Sequence, residues 1–179
     1  QDRLPDGRRR SAFLLDDAHV LLAQIHIEEK DYDKALAECR VALEFDPENV
    51  ETRNLQGIAL RRLGRYDEAI AVHRGILKEK PGSARFLYNL GIALDKTGAT
   101  DKAEVSYRRA LELRPNFAEA WYNLGICRFE KNDIAGAESD FRRAVECRAA
   151  FAEAHASLGY CLLRNRKVDE GAAELEVAE

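Results

Sequence analysis

Apolar residues in the middle of the chain fall three and four apart: Leu87, Leu90, Gly91 and Leu94, and then, beyond Lys96-Thr97-Gly98, Ala103, Tyr107, Ala110 and Leu111. Such spacing gathers side chains on one face of a helix, so the stretch predicts two amphipathic helices with a break between them. Gly64 and Gly98 end the first helix of a pair, since glycine accepts the left-handed C-terminal conformation, and Pro47, Pro81 and Pro115 close the second. Ala149 stands where the fourth such proline belongs, so a less sharply turned linker is expected there.

The pattern repeats. Units begin at Asp16, Val50, Ala84, Ala118 and Ala152, each 34 residues after the last, which divides the chain into residues 16–49, 50–83, 84–117, 118–151 and a truncated 152–179. Internal periodicity of this length is the signature of a solenoid. Residues 1–15 form an N-terminal extension in which Ala12-Phe13-Leu14-Leu15 is expected to lengthen the first helix or pack under it, with Ser11 as its cap. Small residues hold the eighth place of each unit (Ala23, Gly57, Gly91, Gly125, Gly159) and the twentieth (Ala35, Ala69, Ala103, Ala137, Gly171), where two backbones are expected to approach closely. A lone helix pair cannot cover its apolar stripe, so stability accrues through interfaces between neighbouring units. The last unit closes on Leu175, Val177 and Ala178 without a polar cap, and the chain lacks methionine; a piece of a longer protein, or an oligomer formed through the uncapped C-terminal end, is expected.

Four segments carry a family likeness: AWYNLG (120–125), LYNLG (87–91), GRYDEAI (64–70) and YRRALELRP (107–115). In them the chain resembles the tetratricopeptide repeat family over residues 16–179, with Gln56, Cys39 and His73 departing from the usual residue types. The resemblance implies an all-α fold, a right-handed superhelical α-solenoid of tandem helix-turn-helix repeats whose first helices line a concave groove that meets ligands. On that face stand Arg85, Tyr88, Asn89, Ile92 and Lys96, then Glu119, Tyr122, Asn123, Ile126 and Phe129, then Ser157, Tyr160 and Leu163. Arg85, Tyr88, Asn89, Ile92, Tyr122, Asn123, Ile126, Phe129, Tyr160 and Leu163 are therefore the candidate peptide- or protein-binding residues, because aromatic and aliphatic groups outside the structural stripe supply affinity when a partner buries them. The competing reading has Tyr88, Ile92, Tyr122 and Ile126 filling space between successive first helices.

Asn89 and Asn123 share one register, as in the asparagine ladder of O-GlcNAc transferases, but Leu55 and Ser157 interrupt the series. The carboxylate clamp that other family members use for chaperone tails lacks its cations here: Asn54, Ile58, Glu119 and Asn123 occupy the corresponding places. Arg61 and Arg62, with Arg85 and Lys96, are cations suited to steering an acidic segment, or to pairing with Glu51 and Asp95.

Composition narrows the function further. A formal charge of −4 with both signs mixed gives no basic stripe for nucleic acid, and Arg8-Arg9-Arg10 reads as a solvated tail. No apolar run is long enough for a bilayer, so no direct membrane insertion is expected. Cys39, Cys127, Cys147 and Cys161 show no CxxC spacing and read as buried thiols. His19, His26, His73 and His155 form no HExxH pair, and no glycine run precedes GK[ST]; metal, cofactor and catalytic residues are not expected. The expected function is a non-catalytic scaffold holding a peptide or protein segment in the groove. The alternatives are a substrate-recruiting region of a larger enzyme such as a glycosyltransferase, or a self-assembling structural module. The cytoplasm is the expected compartment, with the bacterial periplasm as alternative.

Overall fold

The computed structural model describes the backbone of residues 6–178 and side chains from Asp17 to Ala178. Among the described residues there are ten helices and no strand: α1 (Asp6–Glu28), α2 (Tyr32–Phe45), α3 (Val50–Arg62), α4 (Tyr66–Glu79), α5 (Ala84–Lys96), α6 (Thr100–Leu113), α7 (Ala118–Glu130), α8 (Ile134–Cys147), α9 (Ala152–Arg164) and α10 (Val168–Ala178). The fold is an all-α solenoid of tandem helix pairs, and four of its helices start at the predicted repeat boundaries Val50, Ala84, Ala118 and Ala152. Ser11 lies inside α1 rather than at its start, because the helix begins at Asp6 and takes in residues 12–15. None of these helices is long and apolar enough to cross a membrane.

The chain divides into two compact units, Gln1–Pro81 and Gly82–Glu179. In the first, α1 packs on α2, α2 on α3 and α3 on α4; in the second, each of α5 to α9 packs on its successor.

Every helix pair turns through the same short link. The first residue past its opening helical stretch with a left-handed backbone is Lys30, Gly64, Gly98, Asn132 or Arg166, at φ of 63°, 78°, 74°, 61° and 61°. The next N–H then reaches back to a carbonyl of the last turn: Asp31 to His26, Arg65 to Leu60, Ala99 to Leu94, Asp133 to Arg128 and Lys167 to Leu162, all at 2.8–3.0 Å. This is a Schellman closure, which satisfies carbonyls left without intrahelical partners. Glycine was the visible sign of it at only two of the five links. Asp31, Asn49 and Asp133 cap the following α2, α3 and α8 by accepting a backbone N–H three residues on. The link at Ala149 is as sharp as its proline-bearing counterpart, contrary to expectation. Arg148 takes φ −145° and ψ 97° where Arg114 takes −140° and 87°, so helix capping sets the turn without proline.

The small residues at the eighth place have a specific covering. A Cβ at Gly91 would lie 2.5 Å from the Tyr107 ring, at Gly125 2.7 Å from Phe141, and at Gly57 2.7 Å from His73. The close approach predicted from sequence is thus between a helix backbone and a ring from its partner helix. Only at Gly159 does backbone itself come near, with the Gly171 carbonyl oxygen 2.9 Å from the added Cβ. In the first pair the register holds Ala23 and Cys39, both fully buried, so a methyl replaces hydrogen where a thiol replaces a ring. The alanines at the twentieth place, Ala35, Ala69, Ala103 and Ala137, are all at 0% exposure.

Paired charges fasten consecutive repeats in the second unit. Glu104 on α6 accepts from Lys131 at 2.5 Å and from Arg108, and Glu138 on α8, one period later, accepts from Lys167 at 2.7 Å and Asn165 at 2.6 Å. Burial works to raise the Glu138 pKa, but hydrogen bonds from Lys167, Asn165 and Arg142 outweigh it and leave the carboxyl below its ordinary value. Cys39 and Cys127, pushed up to about 12 by burial, and Cys161, pushed up to about 11, are inert core thiols as expected. Cys147 departs from that expectation: it ends α8 on the surface and is exposed.

Two outcomes follow for stability. Gly91→Ala forces the Tyr107 ring away and is expected to cost about 1–3 kcal/mol in urea unfolding followed by circular dichroism. His73 is fully buried, and neither ring nitrogen has a hydrogen-bond partner among the described residues. Burial, with help from the Arg61 charge, lowers its pKa to about 4. The unfolded imidazole binds a proton below its ordinary value while the folded one refuses it, so stability present above about pH 6.5 is lost as the pH falls towards 4. At about pH 5 the loss is on the order of 2 kcal/mol. His73→Phe, which places over Gly57 the ring type that Phe141 places over Gly125, is expected to remove that part of the acid sensitivity. Comparing urea midpoints of the two proteins at about pH 5 and about pH 7.5 measures it.

Candidate functional site

The candidate residues lie on α5, α7 and α9, the first helices of three successive pairs within the second unit. Their helical spacing puts them on one side of each helix, but they differ in how far neighbouring rings enclose them.

Tyr88 is half-buried, its ring centre 4.6 Å from that of Phe117 and 5.9 Å from that of Tyr107. Tyr122, one period later, sits 5.0 Å from Phe151 and 5.6 Å from Phe141. Phe117 and Phe151 immediately precede α7 and α9, and the guanidinium carbons of Arg114 and Arg148 lie over their rings at 3.4 and 3.6 Å. Each tyrosine is therefore the middle ring of a stack that runs from an arginine through three aromatic rings, a structural arrangement with tilted ring pairs worth about 0.5–1.5 kcal/mol each. Asn89 is buried at 7% exposure, and the Asn123 amide donates to the Tyr88 hydroxyl at 3.2 Å, joining α7 to α5. Arg85 is exposed, its guanidinium carbon 4.9 Å from the Phe86 ring centre, and Ile92 is half-buried. Leu163 is 38% exposed and turns towards α10, where it lies against Gly171.

A different set converges between α7 and α9. Ile126 and Phe129 from α7, Ala156, Ser157 and Tyr160 from α9, and Phe141 from α8 line an open cleft of about 330 Å³. Phe129 and Tyr160 meet edge to face with centres 5.6 Å apart, and Tyr160 keeps 52% of its surface exposed. Beneath them Ala137, Phe141, Leu158, Cys161 and Leu162 form a closed core, against which Ile126 and Phe129 also pack. The cleft is thus exposed at its mouth and floored by buried core. The Arg164 guanidinium carbon, outside this lining, lies 6.0 Å from the Phe129 ring centre.

Of the sequence candidates, the structure brings Ile126, Phe129 and Tyr160 to this cleft. Phe141 and Ala156 were missed, and Ser157 was read on the face without being singled out. Arg164 was missed too, although Lys96 occupies its register two periods earlier and was noted. Behind the cleft, Asp140 on α8 accepts from Arg128 of α7 at 3.0 Å. Burial pushes Asp140 up to about 7 against the pull of Arg128 and Arg108. Among the described residues no group of three or more histidine, cysteine, aspartate or glutamate side chains is placed to hold a metal ion.

The enclosed and open tyrosines make opposite predictions. Tyr88→Ala is expected to cost about 3 kcal/mol, because it empties a site flanked by two rings. Tyr160→Ala is expected to cost less than about 1 kcal/mol, since half the ring already faces solvent. Urea unfolding of the two variants beside the parent chain reads both numbers.

Sequence profiles of the tetratricopeptide repeat match residues 16–49 and, as two overlapping hits, 54–116 and 101–150. No curated protein sequence matches significantly. Among solved structures the fold is similar to that reported for the functional characterization of pilF of Pseudomonas aeruginosa, at TM-score 0.86 and 18% identity over 94% of this chain and 77% of that one. It is also similar to MamA 41-end from Desulfovibrio magneticus RS-1, at TM-score 0.77 and 21% identity over 92% and 93% of the two chains. A third likeness is to YrrB, described as a TPR protein with an unusual peptide-binding site, at TM-score 0.66 and 23% identity over 89% and 82%. One profile alone spans residues 54–150, more than half of the sequence, and its repeats coincide with the helix pairs seen here: the chain belongs to the tetratricopeptide repeat family.

Proposed function

We propose that this chain is a non-catalytic scaffold that holds a peptide or protein segment along the first-helix face of α5, α7 and α9, with the α7/α9 end contributing most of the contact energy. Tetratricopeptide repeats are protein-interaction folds, and the finer reading rests on one observation: exposed Tyr160 and half-buried Phe129 and Ile126 border an open apolar cleft whose floor is fixed by buried Phe141. Burying such surface against a partner is favourable at about 25 cal/mol per Å² before ordering costs, and aromatic residues are the usual anchors of such contacts. The printed description of YrrB as peptide-binding supports the reading by analogy of fold. Tyr88 and Tyr122 contribute by holding α5, α7 and α9 in register rather than by offering free rings.

Selection of ligands from a displayed random peptide library on the parent chain, followed by affinity measurement on the Phe129→Ala, Tyr160→Ala double variant, tests this. Binding weakened by tenfold or more with unchanged helicity is the expected result. Peptides that bind both proteins equally remove the face from consideration.

A further inference from the structure

Within the second unit, the fifth and sixth places of successive first helices carry Tyr88 and Asn89, then Tyr122 and Asn123, and finally Ala156 and Ser157. The exchange of an aromatic ring and an amide for a methyl and a hydroxymethyl leaves room on α9, and the cleft lies over those two residues. Its sides are aromatic: Phe129 and Tyr160 already stand edge to face, and Phe141 presents its ring from below at 1% exposure. With Phe129, Tyr160 and Phe141 in its lining, the cleft offers a further ring aromatic pairing beyond the area term, whereas an aliphatic side chain gains the area term alone.

The charge beside the cleft is equally specific. Arg53, Arg65, Arg143 and Arg148 each hold a carboxylate at 2.5–2.9 Å. Among the described residues no such ion pair involves Arg164, whose guanidinium carbon lies 6.0 Å from the ring centre of Phe129, one wall of the cleft. The nearest acidic residue along α7, Glu130, follows Phe129 on the exposed surface and forms no ion pair with it within 4.0 Å. A guanidinium over an aromatic wall, without a carboxylate of its own, is complementary to an anionic group beside an inserted ring.

We propose that the α7/α9 cleft seats one aromatic side chain of a partner peptide whose adjacent acidic residue pairs with Arg164; this rests on the groove reading above and specifies its ligand. Sequence preference would then come from this one end of the face.

The test uses the full chain and fluorescein-labelled peptides with a glycine-serine frame, carrying a Phe-Asp-Asp core or the same core with Phe→Ala or with both Asp→Lys, read by anisotropy. The Phe-Asp-Asp peptide is expected to bind, and each altered peptide to bind about tenfold more weakly or worse. Ala156→Leu, on a half-buried position facing the cleft, is expected to abolish the preference for Phe by filling the seat. Arg164→Glu, on an exposed position that leaves the fold untouched, is expected to reverse the preference between Asp and Lys. Equal binding of the Phe and Ala peptides, or a preference that survives Ala156→Leu, overturns the proposal. If in that case the Phe129→Ala, Tyr160→Ala variant still loses library-selected ligands, the groove reading stands without the aromatic-acidic specificity; if the parent chain binds no peptide of either kind, both fall. Concentration-dependent self-association in sedimentation that Ala156→Leu removes identifies a second copy as the occupant and also overturns the proposal.

Discussion

The contact on which the helix pairs depend is a ring packed against a residue that has no side chain. Gly57, Gly91 and Gly125 give their second helices room for His73, Tyr107 and Phe141, and each of those rings is buried almost completely. Because the ring spans the gap between two backbones, it fixes both how near the helices lie and which turn faces which. Cys39 against Ala23 shows that the contact is steric: the partner shrinks when the floor rises. Phe141 serves twice, since the ring that packs on Gly125 is also the floor of the α7/α9 cleft. The scaffold and the candidate site share an atom set there, and the site inherits its rigidity from the repeat.

A second device works outward from the same rings. Tyr88 and Tyr122 extend the buried pairs through Phe117 and Phe151 to Arg114 and Arg148, so each repeat reaches the next through a line of stacked groups. Glu104 and Glu138 act between the same pairs of repeats, drawing in Lys131 and Lys167 from the following link. Apolar stacking supplies area and the ion pairs supply register, while the turn at Ala149, which lacks the proline, is kept by its helix cap.

The fold was almost wholly legible because it is written several times over. A spacing of three and four gives a helix once; the same spacing recurring every 34 residues gives the pairing and the solenoid. The left-handed links at Lys30, Asn132 and Arg166 were not legible, since nothing in those side chains announces a positive φ; only their alignment with Gly64 and Gly98 does. The site was less legible for a related reason. Helical periodicity tells which side a residue is on but not what covers it, so the sequence left Tyr88 and Tyr122 open between lining a groove and filling space between first helices. Phe117 and Phe151, which enclose the first two tyrosines, stand outside the helical stripe. The cleft depends on what is missing, the small side chains of Ala156 and Ser157, and absence is a weak signal until neighbours are in place.

The closure of each link is made between peptide groups alone, from an N–H to a carbonyl five residues earlier. The direction in which one helix leaves and the next begins is consequently carried by main chain, not by whichever residue occupies the tip. Lysine, glycine, asparagine and arginine all serve at that corner with φ within about twenty degrees of one another. Lys30, Asn132 and Arg166 are thus exposed corners where the backbone already carries a side chain at positive φ, whereas one added at Gly64 or Gly98 would be strained.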